Sequence, residues 1–518
     1  MKSRFTRVLS FVLTLGMLLS VCGVQGAGAV GVSGAAPGET ASAKDTFVYG
    51  LTAEPKTLDG LLADDFVAYT ITNNLYDNLI IQEPDGSLTP GLAESWTYND
   101  IGDEITFALR KGVKFHDGSE MTAADVKFTF DHDIDHPPAA NLTSAMDRME
   151  IVDDYTVKLF LKHPFGPIEY AISGSQLAIV SKAAYEADPA GFARKPVGTG
   201  PYKINEWFSG DKITITRHDD YWQGAPVIKD VTFKIITDIS TAVIALENGE
   251  IDMVQPNTTD RDNLMANSDV TYYEVEQQST YFLAMNNKRG LFTNKDMRLA
   301  LAYAVDREAL LVGALDGIGA ICNTPMARVF GHPGEFDWYD YNPEKAKEHL
   351  AAAGYPDGLT ITFTTMNSTG YSKPTEIIQD QLRKVGITVV IDRMERAAFL
   401  DAVITRKDYE IAVMSATAFY PDSDYLFAMY HSDPTEEGRN YHLNEDPVLD
   451  GLLEEARVLQ DSEGREALYL QVCERFKEEA FQVPLYVMLA NMAASSKLRG
   501  YEISPLRRVY VKYFNWVE

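Results

Sequence analysis

The sequence is poor in cysteine and in positive charge. Three cysteines occur among 518 residues, and no Cys-x-x-Cys pair is present, so the spacing typical of zinc sites and redox-active dithiols is missing. Lysine and arginine number 46 against 75 aspartate and glutamate residues, which gives a formal net charge of −29. Such an acidic surface repels phosphate backbones. It therefore argues against nucleic-acid binding and favours a soluble protein.

Signatures of common catalytic chemistry are also missing. The sequence has no Gly-x-Ser-x-Gly, His-Glu-x-x-His or phosphate-loop pattern, so the usual nucleophile, zinc and nucleotide sites are not indicated. The nine histidines are scattered, and the group formed by His116, His132 and His136 has no matching cysteine. We therefore predict a protein that is not an enzyme and that carries no cofactor and no metal site.

Length and composition predict several folded domains. The 518 residues are 45% hydrophobic and 11% aromatic, enough to bury two or three cores. At the amino terminus Lys2, Arg4 and Arg7 precede an apolar run over residues 8–21, which is shorter than the roughly 20 residues that span a bilayer. This order of charge, apolar run and small residues is typical of a secretory signal. We expect residues 1–29 to be a signal peptide and the protein to be exported.

Two processing sites fit this leader. Ala27-Gly28-Ala29 suits ordinary signal peptidase, whereas the LSVC tetrapeptide that ends at Cys22 resembles a lipobox with an atypical valine before the cysteine. The protein is therefore expected in the periplasm or on the outer face of the cytoplasmic membrane, with a lipid anchor at Cys22 as the alternative. Residues 30–45 are rich in Gly, Ala and Ser without periodicity and predict a flexible linker. Cys322 and Cys473 lie far apart in sequence, and their spacing leaves open whether they are bridged or simply buried.

Residues 91–130, GLAESWTYNDIGDEITFALRKGVKFHDGSEMTAADVKFTF, carry the clearest local pattern. Residues 104–109 alternate apolar and small or polar side chains, which predicts a half-buried strand. Asp117-Gly118 marks a tight turn, and residues 122–125 (TAAD) form a capping-box pattern before a helix. His116 is interpreted as part of the turn.

Taken whole, this stretch resembles the signature region of the family 5 solute-binding proteins of ABC importers, whose members carry peptides, nickel or sugars. Further segments resemble motifs of the same family: residues 54–59 (EPKTLD), 197–202 (VGTGPY), 220–222 (DYW) with Pro226, and 297–308 (MRLALAYAVDRE). The resemblance covers most of the chain from about Thr46 onward.

The resemblance implies an α/β fold of the periplasmic-binding-protein type (class II, cluster C), with two lobes, an extra strand-rich subdomain and a hinged cleft. The first lobe would comprise residues 46–83, 196–279 and 487–518, the subdomain residues 84–195, and the second lobe residues 280–486. The chain would cross between the lobes near residues 278–280 and 487–490. Alternating strand and helix patterns after residue 280 predict a largely parallel sheet in the second lobe.

The resemblance also implies which residues bind the ligand. Dipeptide-binding members place an Asp before a turn like residues 420–424 and an Arg for the ligand carboxylate, but here Phe419 stands where the Asp would be and no Arg is evident near Met366. The expected ligand-binding residues are Leu51, Thr52, Ala53, Ser175, Gln176, Asn286, Met366, Asn367, Phe419, Tyr420, Asp422 and Tyr441.

Three ligand classes remain open from the sequence. An oligopeptide comes first, ahead of a dipeptide, because backbone hydrogen bonds need no charged clamp. An oligosaccharide would stack on Phe419, Tyr420 and Tyr441, and a nickel chelate would use His431 and His442. The expected function is capture of the solute by a monomer and delivery to ABC permease subunits in the membrane. A secreted hydrolase or a chemosensory binding protein is the alternative from another class.

Overall fold

The structure is a computed structural model that describes residues 40–134, 136, 139–329, 332–418, 420–432, 440, 442–460 and 462–518. Within these ranges no helix combines the length and the apolar character needed to cross a bilayer. The strands are β1 (Thr46–Leu51), β2 (Ile80–Gln82), β3 (Leu88–Pro90), β4 (Ala93–Tyr98), β5 (Glu104–Leu109), β6 (Met146–Asp153), β7 (Thr156–Leu161), β8 (Tyr202–Phe208), β9 (Lys212–Arg217), β10 (Asp230–Ile235), β11 (Met253–Val254), β12 (Val270–Glu276), β13 (Ser279–Met285), β14 (Ala320–Ile321), β15 (Leu359–Met366), β16 (Ile387–Met394), β17 (Ile411–Thr417), β18 (Gln482–Val487), β19 (Leu489–Ser495), β20 (Leu498–Arg499) and β21 (Asn515–Trp516).

Helices connect and cover these strands, which confirms the predicted α/β class. They are α1 (Phe66–Thr72), α2 (Ala123–Asp133), α3 (Ala140–Thr143), α4 (Ile168–Ile172), α5 (Lys182–Ala187), α6 (Pro189–Phe192), α7 (Ile239–Glu247), α8 (Arg261–Ala266), α9 (Lys295–Ala304), α10 (Arg307–Leu315), α11 (Pro343–Ala352), α12 (Thr369–Lys384), α13 (Arg396–Leu400), α14 (Tyr425–Tyr430), α15 (Pro447–Val458) and α16 (Ser462–Glu479).

The first large sheet joins strands from both ends of the chain. Its order is β12-β19-β11-β1-β10-β9-β8. β1 runs parallel to both β10 and β11, whereas β19 runs antiparallel to β11 and β12. Phe47, Val231, Phe233 and Met492 are fully buried in the core beneath this sheet. The amino-terminal and carboxy-terminal segments are thus packed into one α/β lobe.

The second large sheet has the order β14-β18-β13-β17-β15-β16. Only β15 pairs in parallel, with β16 and β17, while β13 runs antiparallel to β17 and β18. The sheet is therefore mixed, and the expectation of a largely parallel sheet is wrong. The physical reason lies in the chain path. β13 carries the chain into this second lobe and β18 carries it back to the same edge, so the two strands must run in opposite directions.

A third, antiparallel sheet has the order β4-β5-β7-β6. Its strands β4 and β5 belong to residues 91–130, the stretch with the clearest local pattern in the sequence. Ile105, Phe107 and Leu109 of β5 are buried, as the alternation predicted. Thr122 and Asp125 form the expected capping box at the start of α2. This stretch therefore builds a scaffold, because its apolar side chains face the core of the sheet.

Cys322 and Cys473 are both buried and both unbonded. Burial raises the pKa of the Cys322 thiol to about 11, so the reactive thiolate form is scarce at neutral pH. The question that their spacing left open is settled in favour of two buried thiols.

His116 is held neutral by the backbone around it. The Gly198 N–H donates to its Nδ1 at 3.3 Å, and its Nε2 lies 3.1 Å from the Gly200 carbonyl oxygen, so Nε2 is the nitrogen that carries the proton. Burial, as the main cause, lowers the pKa of His116 to about 3. Protonation of Nδ1 would place a proton against the Gly198 N–H.

This arrangement predicts a loss of stability in acid. Below pH 6.5 the unfolded chain protonates this histidine and the folded chain does not, so stability falls by up to about 1.4 kcal/mol per pH unit down to about pH 3. His116→Gln keeps an acceptor and a donor but does not titrate. Urea unfolding at pH 7, 6, 5 and 4 should therefore give a shallower pH dependence for this variant, by about one proton. Parallel curves for the two proteins would contradict the prediction.

Candidate ligand-binding cleft

The two large sheets are connected by two adjacent crossings. The chain passes from β12 to β13 through Gln277 and Gln278, and it returns from β18 to β19 through Met488. The Gln277 N–H donates to the Met488 carbonyl oxygen at 3.0 Å, and its side-chain amide donates to the Leu489 carbonyl oxygen at 3.1 Å. Two short segments that are hydrogen-bonded side by side thus connect the two sheets.

A cavity of about 380 Å³ opens between the two lobes next to this connection. Its volume falls within the range of about 300–1,000 Å³ that is usual for small-molecule sites. The wall on the first-lobe side comprises Tyr49, Gly50, Leu51, Thr52, Phe66, Val67, Tyr69, Thr70, Asn73, Gln255, Met492, Leu506, Arg507 and Arg508, together with Ser175 and Gln176 from the strand-rich subdomain. The wall from the second lobe comprises Ser415, Thr417, Ala418 and Met429.

The order of the strands explains why these residues meet. Leu51 ends β1 and Thr417 ends β17, and each strand is central in its sheet. Chain segments that leave the ends of central strands line the crevice of an α/β sheet. Helix α1 forms one side of the cavity. The start of this helix is capped by Asp65, whose carboxylate accepts from the Ala68 N–H at 2.8 Å.

The cavity combines apolar faces with hydrogen-bonding groups. Phe66 is 52% exposed, although a large aromatic side chain usually loses most of its exposure in a folded protein. Ser175 donates to the Asn73 amide oxygen at 2.8 Å, and the Asn73 side-chain nitrogen has no hydrogen-bond partner among the described residues. That nitrogen is buried, so the half-buried side chains of Gln176 and Gln255 are the amides that can reach a ligand, while Phe66 can stack on an apolar group.

A second cavity of about 390 Å³ continues the cleft. It is bordered by Glu83, Asp85, Tyr170, Arg328 and Pro421, among others, and it shares Leu506 and Arg508 with the first cavity. The two cavities together make the cleft longer than a single amino-acid residue needs. An elongated ligand therefore fits this cleft better than a compact one.

The cleft contains four of the residues expected to bind the ligand: Leu51, Thr52, Ser175 and Gln176 line the first cavity. Ala53 is exposed and follows directly in the chain. Phe419 and Tyr441 lie outside the described residues. Binding by any residue of the expected set stays a prediction.

The other expected residues are placed outside the lining of the two cavities and make contacts within the protein. Asn286 is buried, and its side-chain amide donates to the Lys407 and Tyr409 carbonyl oxygens at 3.1 and 3.0 Å. Met366 packs on the core of the second lobe, and the adjacent Asn367 donates to Glu395 at 2.9 Å.

The turn at residues 420–424 is engaged by neighbouring side chains. Tyr420 is 5% exposed and donates from its hydroxyl to Asp424 at 3.1 Å. Asp422 is fully buried, and Arg465 donates to both of its carboxylate oxygens at 2.6 and 2.7 Å. The contacts of both side chains hold the turn itself.

Sequence reasoning missed the charged part of the cleft. Arg507 and Arg508 line the first cavity, but they belong to a carboxy-terminal segment without helical or strand periodicity. They form the only Arg-Arg pair in the sequence. In a chain of net charge −29, that pair is the signal that could have pointed to them.

Comparison with known proteins adds independent observations. The model for the middle region of the bacterial extracellular solute-binding proteins, family 5, matches residues 87–437, which is more than half of the chain. The oligopeptide-binding protein AppA of Bacillus subtilis is 29% identical, over 98% of this chain and 98% of that protein. The glutathione-binding protein GsiB of Escherichia coli K12 is 28% identical, over 92% of this chain and 96% of that protein.

Solved structures agree with this assignment. HbpA2 from Haemophilus parasuis superposes with a TM-score of 0.85 at 26% identity and covers 91% of this chain and 99% of that one. AppA in complex with a nonapeptide gives a TM-score of 0.72 at 27% identity and covers 92% of this chain and all of the other. The two-lobed fold implied by the resemblance is thus confirmed. The chain belongs to family 5 of the bacterial extracellular solute-binding proteins.

Proposed function

We propose that this protein is the receptor of an ABC importer that captures an oligopeptide between its two lobes and delivers it to membrane permease subunits. The observation that carries the proposal is the cleft itself, since one cavity is walled by residues of both lobes and lies beside two paired crossings. A ligand that contacts both walls stabilises the closed arrangement of the lobes. Binding is thereby coupled to a change of shape that a permease can recognise.

The named activities of relatives support a peptide as the ligand. AppA of Bacillus subtilis is an oligopeptide-binding protein, and its structure holds a nonapeptide. The two joined cavities of about 380 and 390 Å³ give this chain an elongated cleft. Gln176 and Gln255 offer side-chain amides to peptide backbone groups of either polarity.

The contacts of the residues expected to bind nickel or sugar favour a peptide over either ligand. His431 lies 3.1 Å from a Glu454 carboxylate oxygen and stacks on Phe427. No group of three potential metal-ligating side chains occurs in the part of the chain that the structure describes. Tyr420 is buried and bonded to Asp424, which leaves its ring unsuited to sugar stacking.

The proposal includes the division of the chain and its setting. Residues 46–83, 196–279 and 487–518 would form the first lobe, residues 84–195 the subdomain and residues 280–486 the second lobe, with the crossings at Gln277 to Gln278 and at Met488 as the hinge. The protein would be exported, would bind as a monomer and would act without catalysis. Whether Cys22 carries lipid is answered by the mass of the processed protein from its native host.

Peptide capture is tested with protein that has been unfolded, freed of bound solute and refolded. A pentapeptide library randomised at every position is added, and retained species are identified by native mass spectrometry. We expect retained pentapeptides and a smaller radius of gyration by small-angle X-ray scattering. Retention without compaction would contradict closure, a glycan mass on the protein as first purified would contradict a peptide ligand, and cleavage of the peptides would contradict a pure binding role.

Filling the cleft should weaken peptide capture strongly without unfolding the protein. Thr417 is exposed at the end of β17 and faces the first cavity, so Thr417→Trp adds bulk only where the ligand would lie. We expect at least tenfold weaker peptide retention and an unchanged melting temperature. Thr360→Trp, at an exposed position near the far end of the same sheet, is the matched control and should retain peptides normally. Equal retention by the two variants would place the ligand elsewhere.

A further inference from the structure

Two adjacent arginines form the charged part of the first cavity. Arg507 and Arg508 belong to the segment that follows β20, and both line the wall of the first lobe. The Arg507 guanidinium lies over the exposed Phe66 ring, 5.0 Å from its centroid. Arg508 also borders the second cavity and a small third one of about 30 Å³, and its guanidinium donates to the Tyr510 hydroxyl at 3.3 Å.

Neither arginine has an acidic partner within the described residues. Arginines and lysines elsewhere in this acidic chain form many ion pairs, but none involves Arg507 or Arg508. The lining of the first cavity contains these two arginines and no aspartate or glutamate. In a protein of net charge −29, the lining of the first cavity thus carries only positive charge, whereas Glu83 and Asp85 border the second cavity.

Their environment makes an incoming anion favourable. Burial lowers the pKa of the Arg507 guanidinium, and the lining of the first cavity offers this cation no carboxylate in return. A desolvated cation gains more from a carboxylate than an exposed one does. A guanidinium can bind both oxygens of one carboxylate through parallel N–H groups, and two neighbouring guanidinium groups can share the charge.

The backbone conformation at Arg507 is of a kind that is common at ligand sites. Its φ of +56° lies in the left-handed region, which residues with a bulky side chain rarely adopt. Such positions persist where the surrounding structure imposes them, and they concentrate at ligand sites. Glycine would fit this backbone with less strain, yet the position carries an arginine whose side chain borders the cavity.

We propose that Arg507 and Arg508 form a carboxylate subsite in the first-lobe wall, so that the captured peptide is one that brings a carboxylate to this wall. The subsite rests on the proposed peptide-binding function and specifies its substrate class. The carboxylate comes either from an aspartate or glutamate side chain or from the free carboxyl terminus of the peptide. Both sources present the same planar anion to the guanidinium pair.

The test compares peptide selection by the protein and by the double variant Arg507→Gly/Arg508→Gln. The probe is the randomised pentapeptide library in two forms, with free and with amidated carboxyl termini. Peptides are bound, washed, released and sequenced by mass spectrometry. Arg507→Gly suits the local φ, and melting temperatures check that both proteins are folded. Arg383→Gln, which removes an exposed arginine on the outer surface of α12, is the matched control.

We expect the unsubstituted protein and Arg383→Gln to retain carboxylate-bearing peptides at least tenfold better than neutral ones, and the double variant to lose this preference. Enrichment of Asp and Glu in the amidated library identifies a side chain as the source. Preference for the free-acid library without such enrichment identifies the carboxyl terminus. Peptide retention with equal preference in all proteins overturns the subsite and leaves peptide capture intact, whereas retention of no peptide by the unsubstituted protein overturns both.

Discussion

Arg465→Met is expected to lower the free energy of unfolding by about 3–5 kcal/mol, the usual cost of leaving one partner of a buried ion pair uncompensated. The side chains of Arg465 and Asp422 are 2% and 0% exposed. Arg465 also donates to the Ala456 carbonyl oxygen at 3.0 Å and to the Tyr469 hydroxyl at 3.3 Å. Removing Arg465 leaves the buried Asp422 carboxylate without its partner and next to Asp424.

The pair sits where the second lobe meets the strand-rich subdomain. Tyr420, two residues before Asp422, packs in the subdomain core. The Gly166 N–H donates to the Arg457 carbonyl oxygen at 2.7 Å, and the Gln460 side-chain amide donates to the Phe165 carbonyl oxygen at 3.3 Å. Arg465→Met should therefore also weaken this contact between the second lobe and the subdomain.

Urea unfolding of three variants tests the interpretation. Asp422→Leu combined with Arg465→Met removes both charges and should regain most of the stability lost in Arg465→Met alone, because an apolar pair can replace a buried ion pair. Arg406→Met removes an exposed partner of Asp401 and should change little. A loss in Arg465→Met no larger than that in Arg406→Met would show that the buried pair does not stabilise the turn.

Asp422 also shows where sequence reasoning reaches its limit. The sequence placed an acid in the turn that follows β17, and the structure has it there. Its partner, Arg465, lies 43 residues further along the chain, and no local pattern relates the two. A buried acid that is paired with a distant arginine is therefore indistinguishable, in sequence, from an acid that awaits a ligand.

Local patterns succeeded where the physical cause is local. The alternation over residues 104–109 became β5 at the same bounds. The mixed direction of the second sheet could not be read locally, because it follows from the return of the chain through Met488.

The cleft was predicted in part for the same reason. Leu51 ends β1 and Thr52 follows it, and Ser175 and Gln176 lie in a segment that the family resemblance covers. Arg507 and Arg508 lie in a carboxy-terminal segment whose position depends on the pairing of β20 with β21. That pairing in turn depends on one close backbone approach at Gly500.

Gly500→Ala is expected to lower the free energy of unfolding by about 2–4 kcal/mol. The φ of Gly500 is +80°, and a Cβ built there would lie 1.9 Å from the Tyr513 carbonyl oxygen. The left-handed backbone costs an alanine about 1 kcal/mol, and a clash with backbone, which cannot rotate away, adds about 1–3 kcal/mol. If β20 and β21 separate at Gly500, the segment between them moves, and Arg507 and Arg508 leave the cleft with it.

Gly112→Ala separates the two contributions. Gly112 has a φ of +75° but open space within 4 Å of the built Cβ, so the variant bears only the backbone cost of about 1 kcal/mol. Urea unfolding should give a much lower free energy of unfolding for Gly500→Ala than for Gly112→Ala. Peptide retention should fall only in Gly500→Ala, because only that change moves the segment that carries Arg507 and Arg508. Equal losses of stability in the two variants would mean that residues 513–514 shift freely to admit the methyl group, and the arginine pair would then owe its position to contacts other than the pairing of β20 with β21.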